Sequence, residues 1–147
     1  MSENTTYTGS CLCESVTVKT EKLDSGVGVC HCSMCRKWGG GPYLATDCGD
    51  QVRFDGEQHI ARYDSSEWAE RGFCQQCGTH LFYRIKGNNQ HIMPIGLFSD
   101  VDEVVDMDHQ IFIDEKPHYY DFSNQTKNMT GAEVFAQFMN ADSPEQP

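Results

Sequence analysis

Short runs in which apolar and polar residues alternate recur along this chain, and a period of two predicts strands. The clearest is Ser15-Val16-Thr17-Val18-Lys19-Thr20, with Val16 and Val18 on one face. Val27-Gly28-Val29, Tyr43-Leu44-Ala45-Thr46, Val52-Arg53-Phe54 and His59-Ile60-Ala61-Arg62-Tyr63 follow it. Turn-forming Asp24-Ser25-Gly26, Asp47-Cys48-Gly49-Asp50 and Asp55-Gly56 separate them. Leu81-Phe82-Tyr83-Arg84-Ile85, Gln90-His91-Ile92-Met93-Pro94-Ile95 and His109-Gln110-Ile111-Phe112-Ile113 complete the predicted strands. One helical signal stands apart. Thr130-Gly131-Ala132-Glu133 has the spacing of a capping box and leads into Val134-Phe135-Ala136-Gln137-Phe138-Met139. Trp38-Gly39-Gly40-Gly41-Pro42 reads as a loop, because glycine and proline are costly inside a helix. The tail from Asp142 to Pro147 is expected to be disordered. The pattern predicts a mainly β fold with one short C-terminal helix.

Composition narrows the chemistry. A chain of 147 residues is expected to form one domain with a substantial core. It carries no apolar run long enough to span a membrane, and Met1-Ser2-Glu3-Asn4-Thr5-Thr6 has no signal-peptide character. The expectation is a cytoplasmic protein with no membrane partner. A formal net charge of −11 argues against nucleic acid, whose phosphates are bound by lysine and arginine. Eight cysteines in a reducing compartment point to metal rather than disulfides. Cys-x-Cys occurs twice, at Cys11/Cys13 and Cys30/Cys32, and such a pair would close an awkwardly small disulfide ring.

The central stretch is Cys30-His31-Cys32-Ser33-Met34-Cys35-Arg36-Lys37. Thiolates bind zinc with tetrahedral geometry near 2.3 Å, which sets ligand sulfurs about 3.8 Å apart. An extended strand would hold Cys30 and Cys32 about 6.6 Å apart, so the backbone is expected to fold over the metal here. Cys11 and Cys13, with Cys74 and Cys77 of a Cys-x-x-Cys-Gly knuckle, make a closed four-sulfur set from two remote segments, the pattern of a structural zinc. Cys30, Cys32 and Cys35 would then hold a second, more labile zinc with three protein ligands and an open position, where an exogenous thiol could dock. Arg36 and Lys37 are candidate contacts for an anionic part of that thiol. Other arrangements stay open at this point: a ligand exchanged between the two sets, or Cys48 or His31 completing the second site. Both zincs would then be structural in a non-catalytic zinc-binding or protein-interaction module. His59, His80, His91, His109 and His118 have no metal-type spacing, and Trp38, Tyr43, Phe73 and Phe82 read as core aromatics.

Taken together, four segments resemble the glutathione-dependent formaldehyde-activating enzyme family, also called the centromere protein V type. They are Gly9-Ser10-Cys11-Leu12-Cys13, Cys30 to Lys37, Arg71-Gly72-Phe73-Cys74-Gln75-Gln76-Cys77-Gly78-Thr79, and His109-Gln110-Ile111-Phe112-Ile113-Asp114-Glu115-Lys116-Pro117. The resemblance covers residues 9–122, leaving an N-terminal segment over 1–8 and a C-terminal extension over 123–147. It implies an Mss4-like fold of folded β-sheets stapled by zinc. It also implies two zincs per chain, one on Cys11, Cys13, Cys74 and Cys77 and one on Cys30, Cys32 and Cys35. The implied activity is that of a carbon–sulfur lyase, joining glutathione to formaldehyde as S-hydroxymethylglutathione or releasing it, with a small thiol and a small aldehyde as partners.

Overall fold

The computed structural model describes residues 5–142. In chain order the elements are β1 (Tyr7–Ser10), β2 (Thr17–Thr20), β3 (Gly26–Cys30), α1 (Ser33–Gly39), β4 (Tyr43–Asp47), β5 (Arg53–Asp55), β6 (Ile60–Asp64), β7 (Ala69–Cys74), β8 (His80–Ile85), β9 (Gln90–Pro94), β10 (Asp106–Ile111), β11 (Lys127–Met129) and α2 (Gly131–Asp142). The chain is mainly β, as its alternation predicts. None of the described helices is long and apolar enough to cross a membrane.

Residues divide into two compact units, Met1–Ser25 with Ala45–Val105 and Gly26–Leu44 with Asp106–Pro147. In the first, β1, β2 and β5 form an antiparallel three-stranded sheet. Ala45–Asp47 of β4 pair with β9, and β9, β8, β7 and β6 continue antiparallel in that order. The core of this unit gathers Val16, Val18, Leu81, Phe82, Met93, Phe98 and Val101 around Cys11 and Cys74. Val16 and Val18 are buried while Lys19 is exposed, so the alternation along this segment has become the two faces of a sheet.

The strand β7 has no such alternation and is absent from the sequence-based set. Its order comes instead from a buried carboxylate. Glu70 sits opposite Arg84 in the β7/β8 register, and its Oε2 accepts from Arg84 Nε at 2.8 Å and Arg62 Nη1 at 2.7 Å. Burial alone would raise the Glu70 carboxyl, but the two guanidinium groups outweigh it and hold it below the ordinary carboxylate range. A group depressed in the folded state contributes stability above its unfolded pKa and loses it as pH falls through the folded one. Denaturation across the acidic range is expected to show stability falling with pH more steeply in the wild type than in Glu70→Gln. Equal slopes would exclude this carboxylate as the linked group.

Gly72 explains another feature of β7. It pairs with Phe82 across the strands, and a Cβ at this position would run into the fully buried Phe82 ring. Gly72→Ala is expected to lower unfolding free energy by about 1–3 kcal/mol through overpacking, read by denaturant titration. Wild-type stability would show that the ring can relocate without cost.

In the second unit β10 lies between β3 and β11 and is parallel to both. The C-terminal helix begins as the capping box predicts: Thr130 N donates to Glu133 Oε1 at 2.8 Å and Glu133 N to Thr130 Oγ1 at 3.2 Å. It extends through Asp142, which the sequence assigned to the tail, and residues 143–147 lie outside the described residues. A second helix, α1, was not expected. It is only one part of a short turn-like segment, and the glycines after Trp38 obscured it. The helix takes in Trp38 and the first glycine of that run, Gly39, which were read as loop, and closes at Gly40, whose left-handed φ of 87° glycine permits and whose N–H donates to Arg36 O at 2.8 Å.

Candidate metal centres

Eight free thiols are present, and seven of them fall into two groups. In the first unit Cys11 ends the approach of β1 to a tight turn in which Cys11 N donates to Val16 O at 3.0 Å and Glu14 N to Cys11 O at 3.1 Å. The knuckle between β7 and β8 is built the same way, with Cys74 N on Thr79 O at 2.9 Å and Gly78 N on Cys74 O at 2.8 Å. Leu12 N donates to Thr79 Oγ1 at 3.1 Å and ties one turn to the other. Backbone N–H groups of Val16 and Gln76 face the sulfurs of Cys11 and Cys74 at 3.4 Å each.

The sulfurs of Cys11, Cys13, Cys74 and Cys77 lie within 4.8 Å of one another. Cys11 to Cys13 is 3.6 Å and Cys13 to Cys74 is 3.8 Å, close to the edge of a zinc–sulfur tetrahedron, about 3.8 Å. The donor set therefore fits a four-coordinate metal. Burial pushes the Cys11 thiol up to about 11, whereas a hydrogen bond with Thr79 pulls half-buried Cys77 down to about 5. Cys13 is also lowered, chiefly by Ser15. The protein groups around the rim thus favour thiolates before the buried sulfur does, and a metal filling the centre must displace the remaining protons.

In the second unit Cys30 is the last residue of β3 and is paired with Ile111 of β10. Cys32 is the N-cap of α1, its Sγ accepting from Cys35 N at 3.3 Å. Cys35, buried, lies one turn further along the helix. The three sulfurs are within 4.8 Å of one another, and among the described residues no fourth histidine, cysteine or carboxylate donor joins them. Hydrogen bonds from the thiols of Cys30 and Cys35 and from the amides of Cys35 and Met34 favour a thiolate at Cys32, while sharing with these neighbours pushes Cys30 up. This set too could hold a metal ion, with room in its coordination shell for a further ligand.

Neither extra candidate donor joins the trio. The His31 ring is fully buried, with Nδ1 2.8 Å from Tyr120 Oη and Nε2 2.7 Å from Gln110 Oε1, and burial lowers its pKa. Cys48 is a buried residue of the first unit, outside both groups, its thiol pushed up to about 12 by burial. Arg36 is anchored through Nε to the His31 carbonyl oxygen at 2.8 Å, and Lys37 is exposed beside it. The remaining histidines belong to neither group. Phe82 is fully buried, and Trp38 meets Tyr43 edge-on at 5.9 Å.

Sequence reasoning did not single out Gln110, Tyr120 or Glu115, whose Oε1 accepts from Ser33 N at 2.9 Å at the start of α1. Gln110 and Glu115 lie in the segment from His109 to Pro117, which carried a signal as a block. Gln110 looks solvent-directed until the sheet buries it, and Glu115, which stays exposed, finds its partner only through the fold. A cleft of about 320 Å3 opens beside Gln110, lined also by Lys116, Phe122, Thr126 and Asn128 among others.

A family model described as glutathione-dependent formaldehyde-activating enzyme matches residues 6–115. An uncharacterized lyase of Schizosaccharomyces pombe is 35% identical over 129 residues, which cover 87% of this chain and 93% of that protein. The crystal structure of a Rhodobacter sphaeroides protein matches with a TM-score of 0.56 at 23% identity, over 65% of this chain and 90% of the other. At that identity the likeness concerns the fold alone.

Proposed function

This chain belongs to the glutathione-dependent formaldehyde-activating enzyme family, and from that premise we propose that it is a zinc-dependent carbon–sulfur lyase working at Cys30, Cys32 and Cys35. The observation that carries the reading is a trio of converged cysteine sulfurs with no fourth donor among the described residues. Family membership and a relative named as a lyase support lyase-like chemistry in general. The choice of a thiol such as glutathione and a small aldehyde such as formaldehyde is the finer part of the proposal.

In this reading Cys11, Cys13, Cys74 and Cys77 hold a structural zinc, and the trio holds a second. Bound by three thiolates, zinc is a poor Lewis acid toward water but stabilises the anionic form of an incoming thiol at neutral pH. The chain's own residues supply the rest. Cys30, Cys32 and Cys35 would hold the metal through three sulfurs, leaving one position of a tetrahedral shell for the thiol. Arg36, tethered to the His31 carbonyl, and exposed Lys37 offer positive charge to the carboxylates of a peptide thiol, on a protein whose net charge of −11 would otherwise repel it. In the forward direction the thiol sulfur forms a bond to the carbonyl carbon. The carbonyl π pair moves to oxygen, which receives the proton given up by the thiol. Cleavage is the reverse.

Because thiols add to formaldehyde without a catalyst, the test is a rate. Exchange between free formaldehyde and S-hydroxymethylglutathione, followed by two-dimensional exchange NMR, is expected to accelerate with zinc-replete protein and to return to the buffer rate with Cys35→Ser. Zinc-replete protein that leaves the exchange at the buffer rate would sink this choice of substrates.

A further inference from the structure

A cysteine, one intervening residue and a second cysteine at the end of a strand do not converge unaided. Alternate residues of an extended chain stand about 6.6 Å apart, yet the sulfurs of Cys30, Cys32 and Cys35 all lie within 4.8 Å of one another. His31, the residue between Cys30 and Cys32, is 0% exposed, and each of its polar groups is engaged. Its N–H donates to Ile111 O at 3.2 Å, and its carbonyl oxygen accepts from Arg36 Nε at 2.8 Å. Its ring bridges Tyr120 at 2.8 Å and Gln110 at 2.7 Å.

The surroundings also fix which ring nitrogen carries the proton. Gln110 Nε2 donates to Thr126 Oγ1 at 2.9 Å, which leaves Gln110 Oε1 as the acceptor facing the histidine. Thr126 in turn donates its hydroxyl proton to Asn128 Oδ1 at 2.7 Å. His31 therefore donates from Nε2, and its Nδ1 accepts from the Tyr120 hydroxyl. Four hydrogen bonds run in one sense from Tyr120 through His31, Gln110 and Thr126 to Asn128. The Tyr120 ring stacks on the imidazole at 5.5 Å, and Lys116 Nζ lies 5.3 Å from the centre of that ring. An imidazole locked in one tautomer and one orientation acts as a strut.

We propose that His31 is the positioning residue of the three-sulfur centre: its imidazole, clamped between Tyr120 and Gln110, fixes the backbone between Cys30 and Cys32 so that both sulfurs reach one metal. This rests on the reading that the trio binds a metal. A histidine that merely filled space could be replaced by any ring of similar volume, whereas a strut needs its two ring bonds. Partners outside a ligand shell influence metal affinity by about ten- to a hundredfold where they orient ligands.

The test measures the metal affinity of both centres in one molecule by chelator competition with zinc, and reads the sulfur-to-metal charge-transfer absorption with cobalt(II). His31→Phe keeps a ring and removes both bonds; Tyr120→Phe keeps the stacked ring and removes only the hydroxyl. Trio affinity is expected to fall about ten- to a hundredfold in His31→Phe and about two- to tenfold in Tyr120→Phe, the worth of one hydrogen bond. The four-sulfur centre of the same proteins should bind as in the wild type. Nitrogen-15 NMR of the wild type should place the His31 proton on Nε2. Unchanged trio affinity in a folded His31→Phe protein, or equal weakening of both centres, overturns the proposal. Should His31→Phe fail to fold, Tyr120→Phe decides: wild-type trio affinity there overturns it equally. A wild-type trio that takes neither zinc nor cobalt overturns this inference and the metal reading together. Normal binding in wild type and variants alike overturns the inference alone.

Discussion

Replacing Cys74 by serine is expected to unfold the unit that contains it. Cys74 is 0% exposed and packs in one cluster with Cys11, Val16, Leu81 and Phe82, so its sulfur is both a prospective ligand and part of the core. Structural zinc in small peptides contributes on the order of 10 kcal/mol of apparent binding energy to folding. A typical domain has only about 5–15 kcal/mol of net stability. Losing one of four ligands therefore removes a term comparable to the whole. The geometry explains where the term acts, because the centre joins the β1/β2 turn to the β7/β8 knuckle, with Cys13 and Cys74 separated by 61 positions in the chain. Near-UV circular dichroism, together with zinc per chain, checks it. A Cys74→Ser protein with native signal and wild-type melting temperature would show that these sulfurs do not supply the stability. A strong chelator should reproduce the loss in the wild type.

The second large effect is expected at Cys32, and it is of a different kind. Cys32→Ser should lower zinc content by about one per chain and abolish acceleration of thiol–aldehyde exchange while leaving the fold intact. Local structure makes this substitution a clean probe. Cys32 caps α1, its sulfur accepting from Cys35 N, and serine is among the preferred N-cap residues. The hydroxyl can inherit the cap, so what disappears is the thiolate ligand. Circular dichroism, melting temperature and elemental analysis distinguish the outcomes. Loss of fold equal to that of Cys74→Ser would mean that the two centres do not have separate roles.

Much of this could be read along the chain because it depends on neighbours in sequence. Val16 and Val18 alternate with polar residues, and a sheet with one buried face preserves that order. The capping box at Thr130 and Glu133 is complete within four residues, and the Cys-x-x-Cys-Gly knuckle within five; both form as written. The division of sulfurs into a set of four and a set of three was legible for a related reason. Ligand spacing on tight turns is a local property, and two half-sites of two cysteines each have few ways to combine.

Other features had no local signature. Strand β7 contains Glu70, Arg71 and Gly72 where apolar residues would be looked for, and it is ordered by guanidinium groups on β6 and β8 and by the Phe82 ring filling the space above a glycine. The short helix α1 depends on a cysteine serving as cap, with the Glu115 carboxylate arriving from a remote segment at Ser33 N. His31 could be recognised in sequence only as a residue between two ligands. That its ring turns to Gln110 and Tyr120, and carries its proton on Nε2, is decided by strands and loops some eighty residues away. The sequence by itself determined which sulfurs are available and which turns present them, since both follow from covalent spacing. Only the tertiary structure decided which polar side chains are buried against one another, because a hydrogen bond between remote segments exists only after the backbone has brought them together.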